Sequence, residues 1–520
     1  MKLFQLFLSI SLLSACAHQP SPATELGSQP LETSNEVVAV LDHWQVSQPE
    51  TRQESQDDLW QRIIAAYDLD HDIDNKRVQS QLNWYKKHQG YMDRIASRGE
   101  RYMYYIAEQI DVRGIPGELA LLPIVESAFD PFAYSHGRAS GVWQFIPSTG
   151  RDFGLKQDWW HDGRRDIQAS TQAALSYLEA LQREFKGDWL LALASYNTGA
   201  GNVRKAIRKN KKKGLPTDFW SLDLPRETRD YVPKLIALAQ LIKYPEKHGI
   251  TLAPLPNKPY FASVNTGGQI DLSQLADISD TDLEEIYKLN PGFNRWATRP
   301  DSDHQVLIPV DKVDIFTENL AALPKNERMK WQRYKVKSGD SLITIAKKYH
   351  TTPEALRDAN GLRKNLIRIG DQLLIPSAYK SQNSYSHSVN TRLAKTQSSR
   401  RGKTTGKLEY RVRSGDSFWE IARDHKVGIK ELAKWNGMAP GDTLKQGQKL
   451  VIWGQKSSSR EQREVIRKLT YTVRNGDSMA RIAGKFKVRI PDIQRWNRKM
   501  AKNKYLQPGQ KLTLYVDVTN

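Results

Sequence analysis

Three stretches in the C-terminal part of the chain repeat one pattern. YKVKSGDSLITIAKKY begins at Tyr334, YRVRSGDSFWEIARDH at Tyr410 and YTVRNGDSMARIAGKF at Tyr471. Each carries Gly-Asp-Ser at the same offset, then an Ile-Ala pair, then an asparagine at one common distance (Asn360, Asn436, Asn497). Each closes on a glycine followed by an apolar strand, in GDQLLIP, GQKLVIW and GQKLTLY. The pattern predicts a strand, a tight turn at Gly-Asp, two short helices and a closing strand, over 333–376, 409–453 and 469–516. The starts are unevenly spaced, whereas a stacked solenoid needs a fixed period. Polar Ser/Lys/Arg-rich stretches at 377–408 and 454–468 fill the intervals and read as linkers, so beads on flexible strings are expected. A weaker cousin lies at 260–312, where LADISDTDLEEIYKLNP and HQVLIPV follow the same order. It lacks Gly-Asp-Ser and reads as degenerate, and the sequence leaves open whether it binds glycan.

The three units resemble LysM modules, small βααβ folds that bind the N-acetylglucosamine-containing glycans of peptidoglycan and chitin. The resemblance implies peptidoglycan glycan strands as their partner.

Upstream, residues 56–250 read as helix after helix. DDLWQRIIAAYDL, RYMYYIAEQIDV, ASTQAALSYLEALQREF, WLLALASYN and RDYVPKLIALAQLIKY space apolar residues by three and four. Gly and Pro punctuate them, as in RGIPGEL, where Pro116 suits a first helical turn. A chain of 520 residues is too long for one ordinary domain. The fold class expected is therefore α+β multidomain: a mainly helical domain followed by small βααβ modules on linkers.

The formal charge of +20 favours an anionic partner, and nucleic acid is the usual first candidate. The first residues argue against it. Met1–Lys2 is a short positive start, LFQLFLSISLL is too short to span a bilayer, and Leu13-Ser14-Ala15-Cys16 follows. Small residues before a single cysteine resemble the bacterial lipoprotein signal. That resemblance implies removal of 1–15, acylation of Cys16, and a tether over 16–55. Cys16 is the only cysteine in the chain, so it has no intramolecular disulfide partner. With Ala17 next to it, the expected location is the periplasmic side of the outer membrane.

Residues 121–147, LLPIVESAFDPFAYSHGRASGVWQFIP, place an acid at the end of an apolar run. If GELALLPIVES is one helix, Glu126 lies near its C-terminal end, where the partial negative charge disfavours a carboxylate. Val125 and Phe129 would raise its pKa further by desolvation. A carboxyl that stays protonated near neutral pH can donate a proton to a leaving group.

Glu126-Ser127, Ser135, Ala139, Gly141, Gln144 and Pro147, followed by Ala194-Ser195-Tyr196-Asn197-Thr198-Gly199, match the pattern of the soluble-lytic-transglycosylase-type catalytic domain. LPRETRDYVPKL, with Glu227, Thr228, Tyr231 and Val232, also resembles a family segment, and the matched core spans about 105–240. The family has a lysozyme-like helical fold and cleaves the MurNAc–GlcNAc bond of peptidoglycan. The resemblance implies Glu126 as the single acid/base, with Ser135 and Gln144 binding the sugar and its N-acetyl group. Tyr196 and Asn197 would orient the acid or the substrate. Where the family has Gly three residues after the serine and Leu-Met before the glutamine, this chain has Arg138 and Val142-Trp143. A differently shaped pocket wall is the expected consequence.

No metal cluster, phosphate-cradling loop or nucleotide motif is legible, so neither a cofactor nor a metal is expected. Two rival readings remain at this stage. A goose-lysozyme-like muramidase would need a second carboxylate, for which Asp130, Asp152 and Asp158 are candidates. A non-catalytic wall anchor would not need Glu126 with its Gln and Tyr-Asn companions.

Overall fold

The computed structural model describes residues 58–517, apart from 72, 74, 301–303, 350, 352, 400–405, 455–465, 487, 489 and 498–505. The leader, Cys16 and the tether over 16–55 lie outside the described residues.

Helices begin where the sequence supplies caps. Asp58, Asn75, Asp166 and Asp188 each accept a bond from a first-turn amide. The helices so started are α1 (Leu59–Ala65), α2 (Lys76–Lys86), α7 (Ile167–Glu184) and α8 (Trp189–Thr198). Between them run α3 (Gln89–Gly99), α4 (Met103–Arg113), α5 (Leu122–Ser127) and α6 (Pro147–Asp152); α9 (Ala200–Lys211) and α10 (Arg226–Lys243) follow. In α2 the residues Val78, Leu82 and Tyr85, one face of a 3.6-residue period, are buried. Helix α10 is apolar almost all round, with Val232, Leu235, Ile236, Leu238, Leu241 and Ile242 buried, and packs against α2, α5 and α8. Burial of each such side chain is worth about 1.5–3 kcal/mol.

The run GELALLPIVES is two pieces and not the single helix expected. Gly117–Leu121 is a 3-10 turn, and α5 starts afresh at Leu122. Pro123 has no N–H to donate, which suits a first helical turn and breaks an interior. Glu126 still falls at the end of a helix.

The next unit pairs β1 (Phe261–Asn265) with β2 (Gln305–Pro309) around α11 (Leu272–Ile278) and α12 (Leu283–Leu289); α13 (Val313–Ala322) follows. Module 1 has β3 (Lys330–Lys335), α14 (Leu342–Lys348), α15 (Pro353–Ala359) and β4 (Gln372–Ser377). A further helix, α16, spans Val389–Ser398. Module 2 has β5 (Gly406–Arg411), α17 (Phe418–Asp424), α18 (Ile429–Trp435) and β6 (Lys449–Gly454). Module 3 has β7 (Ile466–Thr472), α19 (Met479–Lys485), α20 (Ile490–Trp496) and β8 (Lys511–Asp517). Each unit holds one antiparallel strand pair.

The repeated residues are explained by what they bond. Asp340, Asp416 and Asp477 each accept from the tyrosine six residues earlier and from a backbone amide three residues earlier. Ser341, Ser417 and Ser478 cap the first helix of their modules. Asn360, Asn436 and Asn497 tie the end of the second helix to both backbone groups of one residue in the closing strand. Asn290 does the same in the degenerate unit, donating to Ile286 O and Leu307 O and accepting from Leu307 N. That unit has kept the clamp and lost the Gly-Asp-Ser turn.

The interval 377–408 differs from the flexible string expected. Tyr385 is buried in the apolar core of the degenerate unit, beside residues such as Leu275 and Phe316. Its hydroxyl donates to Asp271, 2.9 Å from each carboxylate oxygen. Val389 N donates to Asn294 O at 2.9 Å. Residues 378–398 therefore form an ordered strap. Its Ser/Lys-rich composition concealed a single tyrosine that finds a core.

Candidate active site

Glu126 is partly buried at the end of α5, and Tyr231 on α10 donates to its Oε1 at 2.6 Å. Burial pushes the carboxyl up from 4.5 to about 7; the Tyr231 bond pulls it down, Glu227 raises it and Lys234 lowers it. Removal of the carboxyl from water thus outweighs the bond that favours its charged form. Tyr231 and Tyr196 are themselves raised well above the ordinary tyrosine value, by burial first and then by the Glu126 charge. Both stay neutral and act as donors.

The backbone around the acid is strained. Eight non-glycine residues have positive φ among the described residues, and four of them are Ala128, Phe129, Arg138 and Gln144. Such conformations cost of order 1–3 kcal/mol each and gather where a site over-determines them. Gly141, at φ +83°, is obligatory: a Cβ there would sit 2.1 Å from Arg164 O. The loop 133–144 is held beside the acid by Ser127, whose hydroxyl donates to Val142 O at 3.1 Å. On its far side Tyr196 donates to Trp143 O at 2.8 Å.

The structure thus brings Glu126, Tyr196 and Tyr231 together. Ser135 Oγ accepts from Ala139 N at 3.0 Å, and Gln144 Nε2 donates to Gly141 O at 2.8 Å. These two shape the loop and do not bond the acid. Asn197 Oδ1 accepts from Thr228 on α10 at 2.8 Å, so it joins α8 to the helix that carries Tyr231. Val142 and Trp143 are fully buried, with the indole donating to Thr171. The departure at these positions therefore fills the core behind the loop.

The carboxylate whose charge raises Glu126 is Glu227, and the three aspartates weighed as a second carboxylate have partners of their own or lie exposed. Asp130 accepts from Phe132 N, and Asp158 accepts from Trp160 N and His161 N. Asp152 is exposed at the end of α6. Sequence reasoning assigned no role to Tyr231, although it fell in a family-like segment. Its partner is 105 residues away, and no local pattern pairs the two.

Residues 104–218 match the Transglycosylase SLT domain, and 260–325 match the LysM-like domain of lytic transglycosylase MltD, a span that includes α13. The LysM domain matches 334–376, 410–453 and 471–514. The membrane-bound lytic murein transglycosylase D of Escherichia coli (strain K12) is 37% identical over 385 residues, covering 71% of this chain and 81% of that protein. The chain belongs to the membrane-bound lytic murein transglycosylase D family. A more distant relative, an autolysin of Enterococcus faecalis, is 28% identical over 172 residues, 32% of this chain and 22% of its own. Among solved structures, the 70 kDa soluble lytic transglycosylase of Escherichia coli is 20% identical over 36% of this chain and 34% of its own. Its TM-score of 0.25 leaves the family assignment resting on the sequence matches.

Proposed function

We propose that this peptidoglycan lytic transglycosylase cuts the β-1,4 bond between MurNAc and GlcNAc with Glu126 as its single acid/base. Protonated Glu126 gives its proton to the glycosidic oxygen as the bond to C1 of MurNAc breaks. The acetamido oxygen of the same sugar stabilises the developing cation. The Glu126 carboxylate then takes the proton of the C6 hydroxyl, and O6 bonds to C1. The product is a 1,6-anhydroMurNAc end, the acid is restored, and no water is consumed. An internal nucleophile has a high effective concentration and outcompetes water in a closed site.

The observation that carries this reading is the Glu126 carboxyl at the end of α5, held at about 7 by burial and bonded to Tyr231. Glu227 helps keep it protonated. Ser135, Gln144, Tyr196 and Asn197 shape the groove and orient the acid. The modules at 333–376, 409–453 and 469–516 hold the enzyme on the wall. Acylated Cys16 tethers it to the periplasmic face of the outer membrane. Supporting that anchor, the K12 relative is described as membrane-bound, and no helix among the described residues is long and apolar enough to cross a membrane.

Glu126→Gln tests the assignment. The amide keeps the shape and can still accept from Tyr231, but cannot supply an acidic proton. Turnover is expected to fall by about 10²–10⁴-fold or more, with sacculus binding retained. Turnover close to that of the unaltered enzyme would refute the role.

A further inference from the structure

Arg138, which stands where the catalytic family has glycine, sits at φ +71° on the loop beside Glu126. A left-handed backbone is costly for arginine, and its side chain makes a contact outside the catalytic portion. Its Nε lies 2.5 Å from Asp442 Oδ1, and Asp442 belongs to module 2, in the turn between α18 and β6. Tyr134 donates to Asp442 Oδ2 at 3.3 Å, and the same oxygen accepts from Ala439 N at 2.8 Å. The Asp442 side chain is 14% exposed and that of Arg138 45%, so the carboxylate is mostly withdrawn from water while the guanidinium keeps contact with it. Loop 133–144 is thus tied to Ser127, next to the acid, at one end and to module 2 at the other.

The strap supplies a second, independent attachment. The His387 ring stacks on Phe132 at 4.6 Å and 7°, and the Arg392 guanidinium lies 4.8 Å from the same ring. At the other end of α16, Gln397 donates to Asn436 Oδ1 at 3.0 Å and to Lys449 O at 3.3 Å. Asn436 and Lys449 are both in module 2, so α16 bridges the catalytic loop and that module.

We propose that module 2 is a docked part of the catalytic groove's rim. The preferred substrate is then a glycan strand long enough to engage module 2 and the groove beside Glu126 together. Only residues 399–405 separate α16 from β5. So short a link sets an effective concentration in the range of about millimolar, where a contact with a dissociation constant well below that stays mostly closed. A docked pair has also lost its relative freedom before substrate arrives, so a strand spanning both incurs less ordering cost than it would with a loose tether. The substrate side of this inference rests on the groove reading of Glu126; the docking itself does not.

Charge reversal in the full-length protein tests it: Asp442→Arg, Arg138→Asp, and the two combined. Hydrogen exchange of amides 133–141 reads the docking, and steady-state kinetics on long glycan strands and on short soluble fragments reads its use. Each single reversal is expected to speed exchange in the loop and raise KM for long strands by about 3–10-fold. For Asp442→Arg the kcat on short fragments stays within about twofold, and adding Arg138→Asp recovers the charge-pair part of both readouts, though not the bonds Asp442 accepts from Tyr134 and Ala439. Unchanged exchange in both single variants would overturn the docking, whatever Glu126 does. Restoration of neither readout in the double variant would do so too. Faster exchange with unchanged or improved kinetics on long strands would overturn the extended substrate site while leaving the Glu126 assignment intact.

Discussion

Glu126 is kept protonated by burial against the pull of Tyr231, and this has a measurable signature in stability. Its folded value of about 7 lies above the ordinary 4.5, so the fold favours the protonated form. The stability this contributes is complete below pH 4.5 and is lost as pH rises through 7. Glutamine cannot ionise. Glu126→Gln should therefore match the unaltered protein near pH 4.5 and become relatively more stable above pH 7, by on the order of 2–3 kcal/mol at pH 8.5. Urea unfolding at the two pH values measures the difference; equal differences at both would contradict a raised carboxyl. At this scale the acid was legible because the motif places it after an apolar run. Tyr231 was not, because its role depends on α10 crossing α5, a tertiary fact.

At the scale of the element, the repeated Gly-Asp-Ser and asparagine positions are scaffold before they are anything else. Asn436 is buried and makes three bonds of 2.7–2.8 Å that close α18 onto β6. Asn436→Ala strands both backbone groups of Val451, at a cost of about 1–3 kcal/mol for each unsatisfied group. A module this small has little stability in reserve. Module 2 is therefore expected to unfold in the variant, read as lost exchange protection over 406–454 with module 3 unaffected. Retained protection in 406–454 would show the clamp to be dispensable. The βααβ order could be read from the repeats, since strand, cap and asparagine recur at fixed offsets. The break at Pro123 was not foreseen, because apolar spacing carries across a missing N–H.

For the whole molecule, the strap is what composition hid. Tyr385 and the stacked His387 turn a polar interval into structure, so a deletion made near residue 325 would expose the apolar side of the 260–325 unit. Deletions meant to remove only the tail belong after residue 398. The anchor belongs to this scale as well: Cys16→Ser should leave the protein unacylated and free in the soluble fraction. A variant that stays with membranes through a salt wash would contradict lipid anchoring, because screened attraction of the basic chain does not survive high salt.

In the proposed reaction O6 of the substrate, and not water, closes the ring at Glu126. Mass spectrometry of sacculi digested by the purified enzyme decides it, since anhydro and reducing ends differ by one water. Newly made ends are expected to be 1,6-anhydroMurNAc. Reducing MurNAc as the main new end would contradict this and make the enzyme a hydrolase.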